Sequence, residues 1–163
     1  MNKEHARGLS KFVPATRGSG MLTQRSRYGL RAMLLIASDP AGNPPVPMSR
    51  IAGEAQIPRK FLEIILAELK NANLVVSTRG KHGGFKLARP AHLISLGDIF
   101  RVIEGPLALV PCVSRTAYKR CKDCRDEEVC AIRRAMMIVR DDTARILDGT
   151  SLAAATEESR AAA

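Results

Sequence analysis

A mostly helical fold carrying one small β-hairpin is the architecture this sequence predicts. Three observations point to it. Apolar residues make up 45% of the 163 residues, aromatics only 4%, and tryptophan is absent, so the core must be aliphatic. Apolar side chains recur three and four apart in several stretches, the period of a helix with one buried face. One glycine-rich basic tip is flanked by short apolar stretches rich in β-branched residues, the pattern of a hairpin. The length suits one domain of ordinary size.

Residues 1–20 hold three glycines, a proline and four basic residues without apolar period, and read as a disordered arm; Met21 is an equally good start for the folded chain. A helix is predicted from Thr23, with Leu30, Met33, Leu34 and Ala37 at helical spacing, broken by the proline- and glycine-rich run 39–45. Ser49 is a candidate N-cap for a short second helix through Ala55. Gln56-Ile57 makes a tight link, and Pro58 suits the first turn of a third helix to about Asn71. Phe61, Leu62, Ile65, Leu66 and Leu69 share its apolar face. Two short helices with a brief link read as a helix-turn-helix, with a generic helical hairpin as the alternative. Leu74–Thr78, the basic tip Arg79-Gly80-Lys81-His82-Gly83-Gly84 and the returning Phe85 and Leu87 then add a wing. Ser95 caps the next helix with Asp98 as its capping-box partner, and Gly105-Pro106 ends it. A long helix is predicted from Val129 to Leu147. Its Ile132, Met136, Val139, Thr143 and Ile146 repeat by four and three, a helix–helix seam that favours a second copy over packing on the chain's own core. The tail from Ser151 is Ala-rich and expected to fray.

The domain plan is therefore a disordered basic arm (1–20), a winged helix-turn-helix DNA-binding domain (21–105), a cysteine-rich loop (106–128), a dimerisation helix (129–150) and a disordered tail (151–163). All four cysteines, Cys112, Cys121, Cys124 and Cys130, fall within nineteen residues, spaced C-x8-C-x2-C-x5-C. The run between them is polar and charged, so something bound by the sulfurs is expected to order it. No apolar run reaches the roughly 18 residues needed to span a membrane, and a cytoplasmic protein is expected. Reduced thiols there make a cysteine cluster metal-binding or redox-active rather than a disulfide frame.

Net charge is +10, and residues 1–100 carry fifteen Lys and Arg against six Asp and Glu. That is the footprint of a polyanion binder, or of a merely soluble basic surface. Enzyme chemistry is not indicated. The histidines (His5, His82, His92) are scattered, no dinucleotide glycine motif occurs, and the tip lacks the Gly-Lys-Ser/Thr ending of a phosphate loop. No small-molecule substrate is expected.

Several stretches together resemble the Rrf-two family of winged-helix iron–sulfur regulators, the IscR, NsrR and RirA type. They are Met21-Leu22-Thr23 with Arg27-Tyr28-Gly29-Leu30-Arg31-Ala32; Ile51-Ala52 followed by Ile57-Pro58 and Phe61–Leu66; Leu74–Gly80 with Gly83-Gly84-Phe85-Lys86-Leu87-Ala88; and Ile94–Ile99 with the cysteine segment. The resemblance runs from Met21 to about Leu152. It implies a homodimer on a palindromic operator in double-stranded DNA and a [2Fe-2S] or [4Fe-4S] cluster reporting on iron, nitric oxide or redox state. Cys124-x5-Cys130 keeps the family's second gap, whereas a fourth cysteine departs from its usual three. The candidate metal ligands are thus Cys112, Cys121, Cys124 and Cys130, either as four thiolates or as three with a non-cysteine ligand, with zinc or a thiol switch as the alternative. Lys119, Arg120, Lys122 and Arg125 are expected to favour thiolates.

For DNA, Arg59 and Lys60 lie in the first turn of the third helix, the part that enters a major groove. Glu63 is a candidate acceptor from cytosine, or an intrahelical partner of Arg59 or Lys60. Ser49 is a phosphate candidate. Arg79, Gly80, Lys81, His82 and Gly83 form a wing tip for the minor groove or backbone, His82 alternatively being a solvated loop residue. Tyr28 is either core or a phosphate contact.

Overall fold

The computed structural model describes residues 23–38 and 44–162. The expected basic arm and Met21 lie outside them. Helix α1 (Gln24–Ala37) is capped by the Thr23 hydroxyl, which accepts from the Ser26 amide at 3.2 Å. Its buried stripe is Ser26, Gly29, Ala32, Met33 and Ile36, while Leu30 and Leu34 sit half-buried at its edge. Helix α2 (Met48–Glu54) starts one residue before the predicted cap. Val46 is clamped to Phe85 by two backbone hydrogen bonds (2.8 and 2.9 Å), so the chain turns helical directly after Pro47, which takes the N-cap position. Ser49 is consequently a helical residue rather than a cap, a correction to the sequence reading.

Gln56 takes a left-handed φ of 53° and reverses the chain between α2 and α3 (Arg59–Asn71). Pro58 is the N-cap of α3, not part of its first turn; its carbonyl accepts from the Phe61 and Leu62 amides. Leu62, Ile65, Leu66 and Leu69 are buried, whereas Phe61, grouped with them by spacing, is exposed. Strands β1 (Val75–Thr78) and β2 (Gly84–Leu87) pair antiparallel from Val75 with Leu87 to Thr78 with Gly84, leaving residues 79–83 as the tip. Gly80 adopts φ +108°, open to glycine and costly for other residues.

Helix α4 (Leu96–Ile103) carries the predicted capping box. The Ser95 hydroxyl accepts from the Asp98 amide at 3.0 Å, and Asp98 accepts from the Ser95 amide at 3.1 Å. Ile99 and Ile103 enter the core with residues of α1, α3 and the hairpin, Ile51 of α2 and Leu152, and Phe100 is also buried. Helix α5 (Ala131–Gly149) begins two residues later than predicted, because Cys130 serves as its N-cap. It buries no residue, and Ile132, Val139 and Ile146 of the expected seam are exposed.

The tail corrects the sequence reading outright. Residues Leu152–Ala161 form helix α6, capped by Ser151. Backbone bonds from Leu96 to Thr150 and from Leu152 to Ile94 stitch its start to the segment before α4. Leu152 is fully buried, and Thr156 is buried with its hydroxyl donating to the Leu152 carbonyl. Alanine at Leu152 should therefore cost about 2–5 kcal/mol of stability; a urea titration reading less than 1 kcal/mol would return the tail to a peripheral role.

Candidate cysteine centre and nucleic-acid interface

The candidate DNA-contacting residues lie on α3, at the hairpin tip, in α1 and in α2. Arg59, Lys60, Glu63, Ile64 and Lys70 are exposed on α3, so the helix turns a mixed basic and apolar surface outward. Glu63 is occupied by Arg59, one turn back, at 3.1 Å. Such exposed pairs are weak, about 0.3–0.5 kcal/mol, so an arriving base or phosphate can separate them. Tyr28 is half-buried; its ring packs on Phe61 with centroids 6.2 Å apart, and its hydroxyl accepts from Gln24. It is thus both an edge of the core and a presented hydroxyl. Arg79, Gly80, Lys81 and His82 are exposed at the tip and Gly83 is half-buried, its amide donating to the Gly80 carbonyl at 2.9 Å. Ser49 is exposed in the first turn of α2.

The cysteines meet at the other end of the chain. Cys112 is buried in a short 3-10 turn, Pro111–Val113; Cys124 and Cys130 are half-buried; Cys121 is exposed. All four, eighteen residues apart at most, line one cavity of about 380 Å³ together with Val110, Val129 and Ile132. Asp123, Arg125, Asp126 and Arg133 complete its wall. The Cys130 sulfur accepts from the Arg133 amide at 3.4 Å, which fixes one sulfur at the positive end of α5.

The expected help from the basic loop residues fails at Cys121. Its thiol is pushed above the ordinary cysteine range, first by hydrogen bonding to Cys112, then by desolvation and by the negative charge of Cys112, Cys124 and Asp123. Arg120 turns away from the sulfurs and donates to the carbonyls of Cys124 and Arg125 instead.

The donor set suits a thiophilic metal group: four soft sulfurs converge on one cavity. Among the described residues, however, no three Cys, His, Asp or Glu stand close enough to hold a single ion. Bringing the sulfurs onto one group therefore requires the loop to draw in. Residues 115–129 contain neither helix nor strand, so the movement breaks no regular structure.

Polar ties carry the cysteine segment onto the helices. Arg140 donates to the Val113 carbonyl at 2.6 Å, and Arg115 pairs with Asp141 at 2.8 Å. At the other end of α5, Asp148 takes a two-pronged bond from Arg101 of α4, both at 2.7 Å, which holds the Asp148 carboxyl below its usual range. Glu104, at the end of α4, accepts from the Thr23 and Ser26 hydroxyls at the start of α1, and Arg25 pairs with Glu68 of α3. Desolvation pushes the Glu104 carboxyl up, but the Ser26 and Thr23 donors and the Arg25 charge outweigh it and hold the group below its ordinary range. None of these ties was legible in the sequence. They join residues far apart in the chain, and no local spacing announces them.

Comparison with known proteins fits this layout. The family model described as Rrf2, iron-dependent transcriptional regulator, matches residues 22–158. An rrf2-like HTH-type transcriptional regulator of Rhodobacter capsulatus is 40% identical over 116 residues, 70% of this chain and 77% of that protein. The HTH-type transcriptional regulator CymR of Bacillus subtilis is 34% identical over 131 residues, 80% of this chain and 86% of its own. Among solved structures, CymR, the global cysteine regulator of B. subtilis, superposes with a TM-score of 0.68 at 31% identity, covering 84% of this chain and 96% of that one. T. potens IscR does so with a TM-score of 0.66 at 28% identity, covering 85% and 87%. The winged helix expected from spacing and tip composition is thus the fold of these regulators, and the chain belongs to the Rrf2 family of transcriptional regulators.

Proposed function

We propose that this regulator binds a palindromic DNA operator as a homodimer, and that a cysteine-ligated iron–sulfur cluster sets its affinity. The observation that carries the reading is the convergence of Cys112, Cys121, Cys124 and Cys130 on one cavity at the head of α5. The similarity to IscR and the iron-dependent description of the family support it. When bound, such a cluster supplies one-electron chemistry and reactivity toward oxygen and nitric oxide.

The chain's own residues do the rest. The four thiols would hold the group, and Arg125 and Arg133 in the cavity wall would offset its negative charge. Drawing the loop inward pulls on Val113 and Arg115, hence through Arg140 and Asp141 on α5. The exposed seam of Ile132, Val139 and Ile146 is the surface on which two copies would meet. A shift there changes the separation of the two α3 helices, which must match half-sites about 34–36 Å apart. Arg59, Lys60 and Glu63 would read bases, while Tyr28, Ser49 and the tip residues Arg79–Gly83 would hold phosphates or the minor groove.

The test is to select an operator from random duplex DNA with protein reconstituted anaerobically, then to measure affinity with and without cluster. A change of tenfold or more is expected; equal affinity would end the reading. A colourless protein carrying stoichiometric zinc would instead favour the metal alternative, which the four-sulfur donor set also serves.

A further inference from the structure

We infer that Ile64 is a thymine reader, its side chain seating against the C5-methyl group of a thymine in the major groove. The inference rests on the reading of α3 as the groove-entering helix. Ile64 is 56% exposed although isoleucine is among the residues most often buried. Its place on the helix is what matters. The inward stripe is Leu62, Ile65, Leu66 and Leu69, and Ile64 falls near the centre of the opposite face, one turn after Lys60 and one turn before Ala67. Phe61, also exposed, lies toward one flank and is engaged with Tyr28. Arg59 and Glu63 occupy the other flank.

Along α3 Ile64 is flanked by charge, Arg59, Lys60 and Lys70 against Glu63 and Glu68. That setting suits a polyanionic partner better than an apolar protein face. The chemistry of the helix then narrows what is read. An adenine is recognised in the major groove by the paired donor and acceptor of Asn or Gln. Residues 59–70 contain neither, and the one amide side chain of α3, Asn71, is its last residue, away from the first turns that enter the groove. An A·T pair under this helix must therefore be recognised from its thymine side, where the distinctive feature is a methyl group. A shallow groove of about 310 Å³ beside Ile64, walled by Arg25, Phe61, Ile65 and Glu68, leaves room for the methyl.

Full-length protein and duplexes recovered by selection from a random pool test this directly. Each thymine of a half-site is replaced in turn by uracil, which removes the methyl and nothing else. Wild-type protein is expected to lose about three- to fivefold in affinity at one thymine per half-site, the value of one buried methyl. Ile64→Ala should start weaker and show no further loss at that position, with unchanged sensitivity at the others. Uracil tolerated everywhere by the wild type, or an identical loss in both proteins, would overturn the assignment while leaving DNA binding intact. Failure to enrich any duplex would remove the reading beneath it. A drop in dimer mass on sedimentation of Ile64→Ala, with uracil sensitivity kept, would give the residue to a second copy of the chain.

Discussion

Alanine at Cys112 is expected to reduce iron bound after anaerobic reconstitution to less than about one tenth of wild type. Outer-shell changes alone cost about 10–100-fold in metal affinity, and this substitution removes a donor. Cys112 is the buried sulfur of the four, and its turn is anchored to α5 by the Arg140 bond to Val113. Its turn is thus the point through which a change at the sulfurs reaches α5. The substitution removes a single sulfur from a small side chain, so the helices should survive it, and far-ultraviolet circular dichroism checks that. Iron and sulfide are counted per chain. Wild-type iron content in Cys112→Ala, with Cys124→Ala and Cys130→Ala likewise filled, would mean that the sulfurs serve something else.

The second large effect concerns the hairpin. A Cβ placed on Gly84 would sit 2.3 Å from the Val46 carbonyl oxygen and 2.9 Å from the Pro47 nitrogen. These are backbone atoms and cannot swing aside as a side-chain tip does. Accommodating alanine means separating Val46 from Phe85, whose two hydrogen bonds seat the entry to α2 against the wing. Each such bond contributes about 0.5–1.5 kcal/mol, and forcing atoms into a filled space adds about 1–3 kcal/mol. Gly84→Ala should therefore lose about 2–6 kcal/mol in chemical denaturation and lower operator affinity through a displaced wing. A variant with wild-type stability would show that the hairpin and α2 move independently.

Local signals made much of the fold readable. The capping box at Ser95 and Asp98, the glycine-rich tip and the stripe of Leu62, Ile65, Leu66 and Leu69 each need only neighbouring residues to be recognised. Phe61 misled because a helix face has edges. It shares a spacing with the buried residues yet falls on the flank beside Tyr28. Ser49 misled because the start of α2 is set by Val46 pairing with Phe85, thirty-nine positions away. The tail misled for a related reason. Its own sequence is weakly amphipathic, and what holds it is the burial of Leu152 and its backbone bond to Ile94. At the cysteine centre the clustering was plain, but the contrast between buried Cys112 and exposed Cys121 depends on how the loop folds. The elevated Cys121 thiol runs against the basic composition of its surroundings.

Helix α6 packs on α1, so a segment synthesised after the cysteine loop closes against the first described helix. On the ribosome this ordering has a consequence. The sulfur-bearing segment leaves the exit tunnel before the segment that completes the core, and a contact so distant along the chain forms late. Each nascent copy therefore passes through a stage in which its thiols are accessible and its reader is unfinished. Delivery of metal during translation would meet an open receiving loop, and a chain released without it would mature with its thiols bare.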